Sequence, residues 1–190
     1  MLGKNLYSLI KEKRFSELRT GMCSFIKQIL QGLLYLKQNR VIHCDLKPEN
    51  VLFNKDSNEK IKIIDFGSSC FSSEKGFTYV QSRFYRAPEV VLGLPYTEQV
   101  DIWSLGCIAA EMYAGVPLFP AIDEQELVEF FQLLRGDVPK HMIDNGKKKE
   151  KFFMTRNGYK IIRSKKSRLL LLKKDTTTLV HIIFREKFLT

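Results

Sequence analysis

The chain has 190 residues, 44% of them hydrophobic and 27% charged, with a formal net charge of +10. That length holds one sizeable core and excludes two full domains. The charge is uneven, because residues 1–139 carry 16 Lys or Arg against 17 Asp or Glu while residues 140–190 carry 15 against 4, so the basicity belongs to a tail that lacks a nucleic-acid reader motif and reads as solvated.

Along the chain, Met22, Phe25, Ile26, Ile29, Leu30, Leu33 and Leu36 recur at three- and four-residue spacing and predict one long amphipathic helix over residues 20–39. The short runs VLF and KIKII that follow favour β structure and are separated by the turn-rich NKDSNE, which predicts a small hairpin. A second helix is expected over TEQVDIWSLGCIAAEMYAG, apolar around nearly its whole circumference, with Thr97 as N-cap and Gly115 near its end. Such a helix belongs in the middle of a core. A third, DEQELVEFFQLLRG, opens on an Asp123-to-Glu126 spacing like a capping box and closes at Gly136. Beyond about residue 140, charge runs and apolar runs without a clear period predict no defined element.

The cysteines at 23, 44, 70 and 107 form no CxxC pair and no metal-ligand cluster, so reduced thiols are expected and zinc is not indicated. The longest leucine run, Leu169 to Leu172, is far too short to span a bilayer. The expected setting is soluble, cytoplasmic or nuclear, with no membrane partner.

Residues 43–50 read His-Cys-Asp-Leu-Lys-Pro-Glu-Asn. Downstream come Asp65-Phe66-Gly67, Ala87-Pro88-Glu89 and Asp101-Ile102-Trp103-Ser104-Leu105-Gly106. Each motif alone is weak, but four in this order are specific. Together they resemble the eukaryotic protein kinases over residues 2 to about 140, with Cys44 replacing the usual arginine of H-R-D-L-x-x-x-N. The strings HCDLKPEN, DFGSSC and TYVQSRFYRAPEV resemble in particular the dual-specificity tyrosine-regulated kinases.

The resemblance implies a mainly α fold of the α+β kinase type: a C-terminal lobe over residues 1–140 with a small β-hairpin at the catalytic loop, followed by a basic, divergent tail over residues 141–190. It implies transfer of the ATP γ-phosphate to Ser or Thr of protein substrates, often beside proline, with ATP and Mg²⁺ as cofactors. Phosphoryl transfer asks a protein to position a hydroxyl and neutralise oxygens. Asp45 is expected to orient the incoming hydroxyl and accept its proton, and Lys47 to face the γ-phosphate. Asn50 and Asp65 supply hard oxygen ligands for Mg²⁺, Leu52 is expected to floor the adenine pocket, and Asp101 to brace the catalytic loop through backbone N–H groups. Leu2 is placed at the hinge edge and Asn5 near the ribose. His43 reads as a packed structural residue.

In that family a tyrosine of the activation segment is phosphorylated by the kinase itself, and Tyr79 falls at that position. Arg83 and Arg86 are the expected phosphate-coordinating partners, since Cys44 offers no guanidinium. Glu49 is a candidate to receive an arginine from a substrate peptide. A regulatory disulfide between Cys44 and Cys70 is conceivable, although cytosolic thiols are normally reduced. A complete kinase also has an N-terminal lobe with a Gly-rich loop, a strand lysine and a helix glutamate. None is found here, so the N-terminal lobe is expected in a full-length protein and this chain is read as the large lobe alone. Glu89 is expected to lack its usual arginine and to be exposed or disordered. The alternative function is a catalytically inactive truncated fragment acting as a protein-interaction module.

Overall fold

The computed structural model describes residues 2–12, 16–55, 57–74, 78–154 and 159–165. Helices dominate among the described residues, which group into two compact units, the first within residues 1–87 and 96–118 and the second within residues 88–95 and 119–165.

The first unit carries every motif residue except Pro88 and Glu89. Strand β1 (Leu2–Asn5) leads into helix α1 (Leu6–Glu12), where the Asn5 side chain accepts the N–H and hydroxyl of Ser8. Asn5 thus closes the first turn of a helix. The long helix α2 (Ser16–Gln38) appears where the spacing predicts it, but its buried stripe is narrower: Phe25, Ile29 and Leu33 lie inside while Leu30 is 43% exposed. Strand β2 (Val41–Ile42) precedes the predicted hairpin, which forms as β3 (Val51–Asn54) and β4 (Ser57–Ile63). Strand β1 adds to it, giving a three-stranded antiparallel sheet in the order β1-β3-β4.

Alternation along β3 turns Val51 and Phe53 to the core, and Phe53 meets Phe25 of α2 edge-on with ring centroids 5.2 Å apart. A Cβ on Gly32 would come within 3.0 Å of Ile63 Cδ1, so glycine lets α2 approach β4 closely. Strand β5 (Cys70–Phe71) pairs antiparallel with β2.

In the second unit, helix α3 (Pro88–Leu92) carries Glu89. Contrary to the expectation of exposure or disorder, that side chain is half-buried on a formed helix, and burial raises its carboxyl above the usual range.

Helix α4 (Gln99–Ala114), in the first unit, begins after Glu98 rather than at an N-cap Thr97, whose hydroxyl only reaches the Gln99 N–H at 3.4 Å. It is not buried all round, since Ile102 and Gly106 are exposed, whereas Val100, Leu105, Ile108 and Met112 are core. Gly115 ends it in the left-handed region at φ +73°, donating its N–H to the Glu111 carbonyl at 2.7 Å.

Helix α5 (Glu124–Arg135), in the second unit, has the predicted cap: Asp123 Oδ1 accepts the Glu126 N–H at 2.8 Å, while Glu126 Oε2 accepts that of Ile122 at 2.7 Å. Phe119 packs edge-on against Phe131 at 5.1 Å. Residues 140–165, where no element was expected, carry α6 (Lys140–Asn145), α7 (Lys149–Phe152) and a hairpin of β6 (Phe153–Met154) and β7 (Lys160–Ile161). The Leu169–Leu172 run lies outside the described residues.

Replacing Gly115 by Ala forces a Cβ into the left-handed region and is expected to cost about 1 kcal/mol. A urea midpoint equal to that of the parent chain would contradict this account of the α4 terminus.

Candidate active site

Pairing of β2 with β5, Ile42 against Cys70, brings residues 43–50 alongside residues 65–71. Between these strands the chain is held from the side by α4. The buried Asp101 carboxylate accepts the His43 N–H through Oδ2 at 2.8 Å and the Cys44 N–H through Oδ1 at 3.1 Å. Burial pushes the Asp101 carboxyl up, and those two N–H groups pull it back toward the charged form. The bracing role expected of Asp101 therefore has its geometry.

Held in this way, Cys44 takes a left-handed conformation at φ +65°, which costs a non-glycine residue about 1–2 kcal/mol. His43 is buried, its ring edge-on to Phe66 with centroids 5.0 Å apart. Its Nδ1 accepts the Asp45 N–H at 3.2 Å and its Nε2 donates to the Ile64 carbonyl at 2.9 Å. It acts as a strut between the two motif segments.

Asp45 emerges from this turn with its carboxylate bonded on both oxygens. Oδ2 lies 2.6 Å from Lys47 Nζ, and Oδ1 accepts the Ser82 N–H at 3.0 Å and the Ser82 hydroxyl at 2.7 Å. The Asn50 amide donates to the Asp45 carbonyl at 2.9 Å, and the Asn50 carbonyl accepts the Ile64 N–H at 2.9 Å. Residues 45, 47 and 50 are thus directly bonded to one another, and Asp65 follows the residue tied to Asn50. Asp65 is exposed, also left-handed at φ +65°, and its Oδ1 accepts the Gly67 N–H at 3.3 Å. A Cβ on Gly67 would stand 3.2 Å from that oxygen.

Asn50 and Asp65 offer an amide oxygen and a carboxylate. Among the described residues no group of three or more His, Cys, Asp or Glu could hold an ion unaided. A two-donor set of hard oxygens suits Mg²⁺, which keeps several waters and binds phosphate oxygens. Leu52 is half-buried on β3, flanked by Asn5 and Lys62, on the face opposite Val51 and Phe53.

In the activation segment, Tyr79 is 60% exposed and the Arg86 guanidinium stacks on its ring, 4.0 Å from the centroid. Arg86 is itself buried, donating to the Val80 carbonyl at 3.0 Å and to that of Gln81 at 2.7 Å. Arg83 is half-buried and lines a cavity of about 470 Å³ together with Tyr7, Lys47, Glu49, Ser82 and Tyr85. Glu49 Oε2 is buried there without a hydrogen-bond partner among the described residues. Nearby, Glu111 accepts the Tyr85 hydroxyl at 2.6 Å; burial raises the Glu111 carboxyl, the hydroxyl opposes this, and the negative charge of Glu49 adds to the rise.

Sequence reasoning missed Ser82, Gln81 and Glu111. Ser82 and Gln81 sit inside a string used for the family resemblance, yet the bond from Ser82 to Asp45 spans 37 residues and leaves no local pattern. Cys44 and Cys70 carry free thiols with Sγ atoms 3.8 Å apart, and burial raises the Cys44 thiol. No helix of the described residues is long and apolar enough to cross a membrane.

Asp101→Asn replaces one acceptor oxygen by a donor facing a backbone N–H. The expected loss is about 1–3 kcal/mol, read as a lower urea midpoint, and an unchanged midpoint would show that Asp101 does not brace the turn.

The protein kinase domain model matches residues 1–175. The chain is 49% identical over 154 residues to the DYRK-family kinase pom1 of Schizosaccharomyces pombe, covering 80% of this chain and 14% of that protein. It is 47% identical over 163 residues to a probable dual specificity protein kinase YAK1 homolog of Encephalitozoon cuniculi, covering 85% of this chain and 40% of that protein. To dual specificity tyrosine-phosphorylation-regulated kinase 3 of Rattus norvegicus it is 45% identical over 159 residues, covering 83% and 27%. The chain thus spans well under half the length of these curated relatives. With the family model covering residues 1–175, the chain belongs to the protein kinase family and is similar to its dual-specificity, tyrosine-regulated members.

Proposed function

We propose that this chain carries the catalytic lobe of a dual-specificity protein kinase, which moves the γ-phosphoryl group of ATP to Ser or Thr of protein substrates and to its own Tyr79. The observation that carries this reading is the Asp45 carboxylate, held between Lys47 Nζ at 2.6 Å and the Ser82 hydroxyl at 2.7 Å. So fixed, it orients the substrate hydroxyl and takes its proton as the oxygen bonds to phosphorus and the bond to the departing ADP breaks. Lys47 brings positive charge to the same place. Asn50 and Asp65 are the residues that would hold Mg²⁺, which neutralises phosphate oxygens when bound. Leu52, on the face of β3 turned from the core, is assigned to the adenine.

Phosphate on Tyr79 adds about −1.5 to −2 charge. Arg83 and Arg86 are the proposed receivers, and Arg86 already stacks on that ring. Substrate preference follows from two further features. Glu49, with its buried and unpaired Oε2 in the 470 Å³ cavity, is suited to a peptide arginine. The Gln81 carbonyl is occupied by Arg86 at 2.7 Å and has little capacity left for a peptide N–H. A residue that lacks an N–H, proline, loses nothing by following the phosphorylated hydroxyl.

That same cavity favours a second reading, in which the chain binds protein segments without transferring phosphate.

The deciding experiment incubates the purified chain with Mg-ATP and a generic protein substrate beside an Asp65→Ala control. Phosphate incorporation well above the control is expected; incorporation equal to it defeats the enzyme reading, and peptide binding that persists would then establish the second. Glu49→Ala is expected to lower the preference for arginine-containing over arginine-free peptides by roughly tenfold or more. Unchanged preference, measured as binding or turnover, removes Glu49 from the substrate site.

A further inference from the structure

We infer that Glu49 and Glu111 hold one proton between them while the cavity of about 470 Å³ is empty, and that a peptide arginine expels this proton on entering, so that the preference for arginine strengthens as pH rises. The inference rests on the reading of Glu49 as receiver of a peptide arginine and adds a control on that same site.

Both carboxylates line the one cavity. Glu111, on α4, is buried, and its Oε2 accepts the Tyr85 hydroxyl at 2.6 Å. Glu49, on the short turn of residues 48–50, presents an Oε2 that is buried without a hydrogen-bond partner among the described residues. Two carboxylates facing one partly buried space cannot both ionise cheaply, because each charge is poorly solvated and each opposes the other. The proton belongs to Glu111: burial raises its carboxyl, the Tyr85 hydroxyl opposes this, and the Glu49 charge adds to the rise. Tyr85 does not surrender a proton instead. Its hydroxyl is itself raised, by burial first and then by Glu111 and Glu49, so it stays a donor.

The other charged and titratable groups facing the cavity leave this proton in place. Lys47 is engaged by Asp45 at 2.6 Å, Lys11 of α1 is exposed with its ammonium over the Tyr7 ring at 4.5 Å, and Arg83 stands on the activation-segment wall. What shifts Glu111 comes from burial, Tyr85 and Glu49 rather than from these cations. Cys107, one turn earlier on α4, is a neutral thiol that burial pushes up to about 12. A guanidinium entering beside Glu49 supplies the missing positive charge and keeps its own protons throughout. Glu111 then passes from carboxylic acid to carboxylate, and one H⁺ leaves for solvent. Because the Glu111 carboxyl is raised in the empty cavity and lowered by the bound guanidinium, affinity is full above the raised value and is lost as pH falls through it. That window lies above the usual range of a glutamate.

The test titrates the full chain by calorimetry with a capped serine peptide whose one ionisable side chain is arginine, and with its citrulline counterpart, an uncharged isostere. Binding is measured across pH and, at each pH, in two buffers of different ionisation enthalpy, which counts the protons released without any need for turnover. For the arginine peptide the association constant is expected to rise by up to about tenfold per pH unit within the window, with up to about one proton released per peptide. The citrulline peptide is expected to bind more weakly and to release none. Glu111→Gln keeps an oxygen for the Tyr85 hydroxyl and is expected to abolish the release. Tyr85→Phe removes the hydroxyl that opposes the rise, so the window is expected to move to higher pH, a shift that a merely structural role would not produce. Arginine-specific binding without proton release, release that survives in Glu111→Gln, or an unmoved window in Tyr85→Phe overturns the inference and leaves Glu49 as a receiver. Equal binding of the two peptides removes the arginine reading itself, and the inference with it.

Discussion

The site depends on one buried carboxylate meeting two backbone N–H groups. Asp101 sits in the first turn of α4 and reaches a loop 57 and 58 residues earlier in sequence. Its two oxygens accept consecutive N–H groups, a pattern that specifies the orientation of two successive peptide planes. Those planes put Cys44 in the left-handed region, and the turn it makes exposes Asp45. Without this tether the loop would relax toward conformations open to any L-residue, and Asp45 would lose its relation to Lys47 and Ser82. The desolvation cost of burying Asp101 is what the fold accepts in return for a fixed turn.

A common physical device recurs around the site. Cys44, Asp65 and Gln81 are all non-glycine residues with φ between +65° and +67°. Each stands at the corner of a motif segment, and each is restrained by polar contacts: Asp101 for Cys44, the Gly67 N–H for Asp65, and for Gln81 the bond from its side-chain amide to the Val100 carbonyl at 2.9 Å. Strained corners of this kind aim side chains where regular strands and helices cannot. The apolar core supplies the rigid walls, and the buried polar network decides the directions of the groups that face the cleft.

Much of this was legible in the sequence. The hairpin, the Asp123 cap of α5 and the left-handed Gly115 are local signals, and local bonds produce them. The helical stripe of α2 was overread at Leu30 because a sequence window cannot tell which flank of an apolar face meets a neighbour. The all-round apolar character of α4 likewise concealed an exposed side at Ile102 and Gly106. For the site, the motif strings place Asp45, Lys47, Asn50 and Asp65. They leave Ser82, Gln81 and Glu111 unmarked, because those residues act through bonds that span 19 to 37 residues and depend on the finished topology. Addition of β1 to the hairpin was invisible for the same reason.

One contact has a meaning for solubility. Among the described residues β4 lies at the edge of its sheet, and the Ile61 N–H on that edge is taken by the Gln28 side chain of α2 at 3.1 Å. An edge strand with bare N–H groups invites another chain to add itself as the next strand. A glutamine from the neighbouring helix blocks that recruitment at Ile61, so α2 guards the sheet against self-association as well as supporting it.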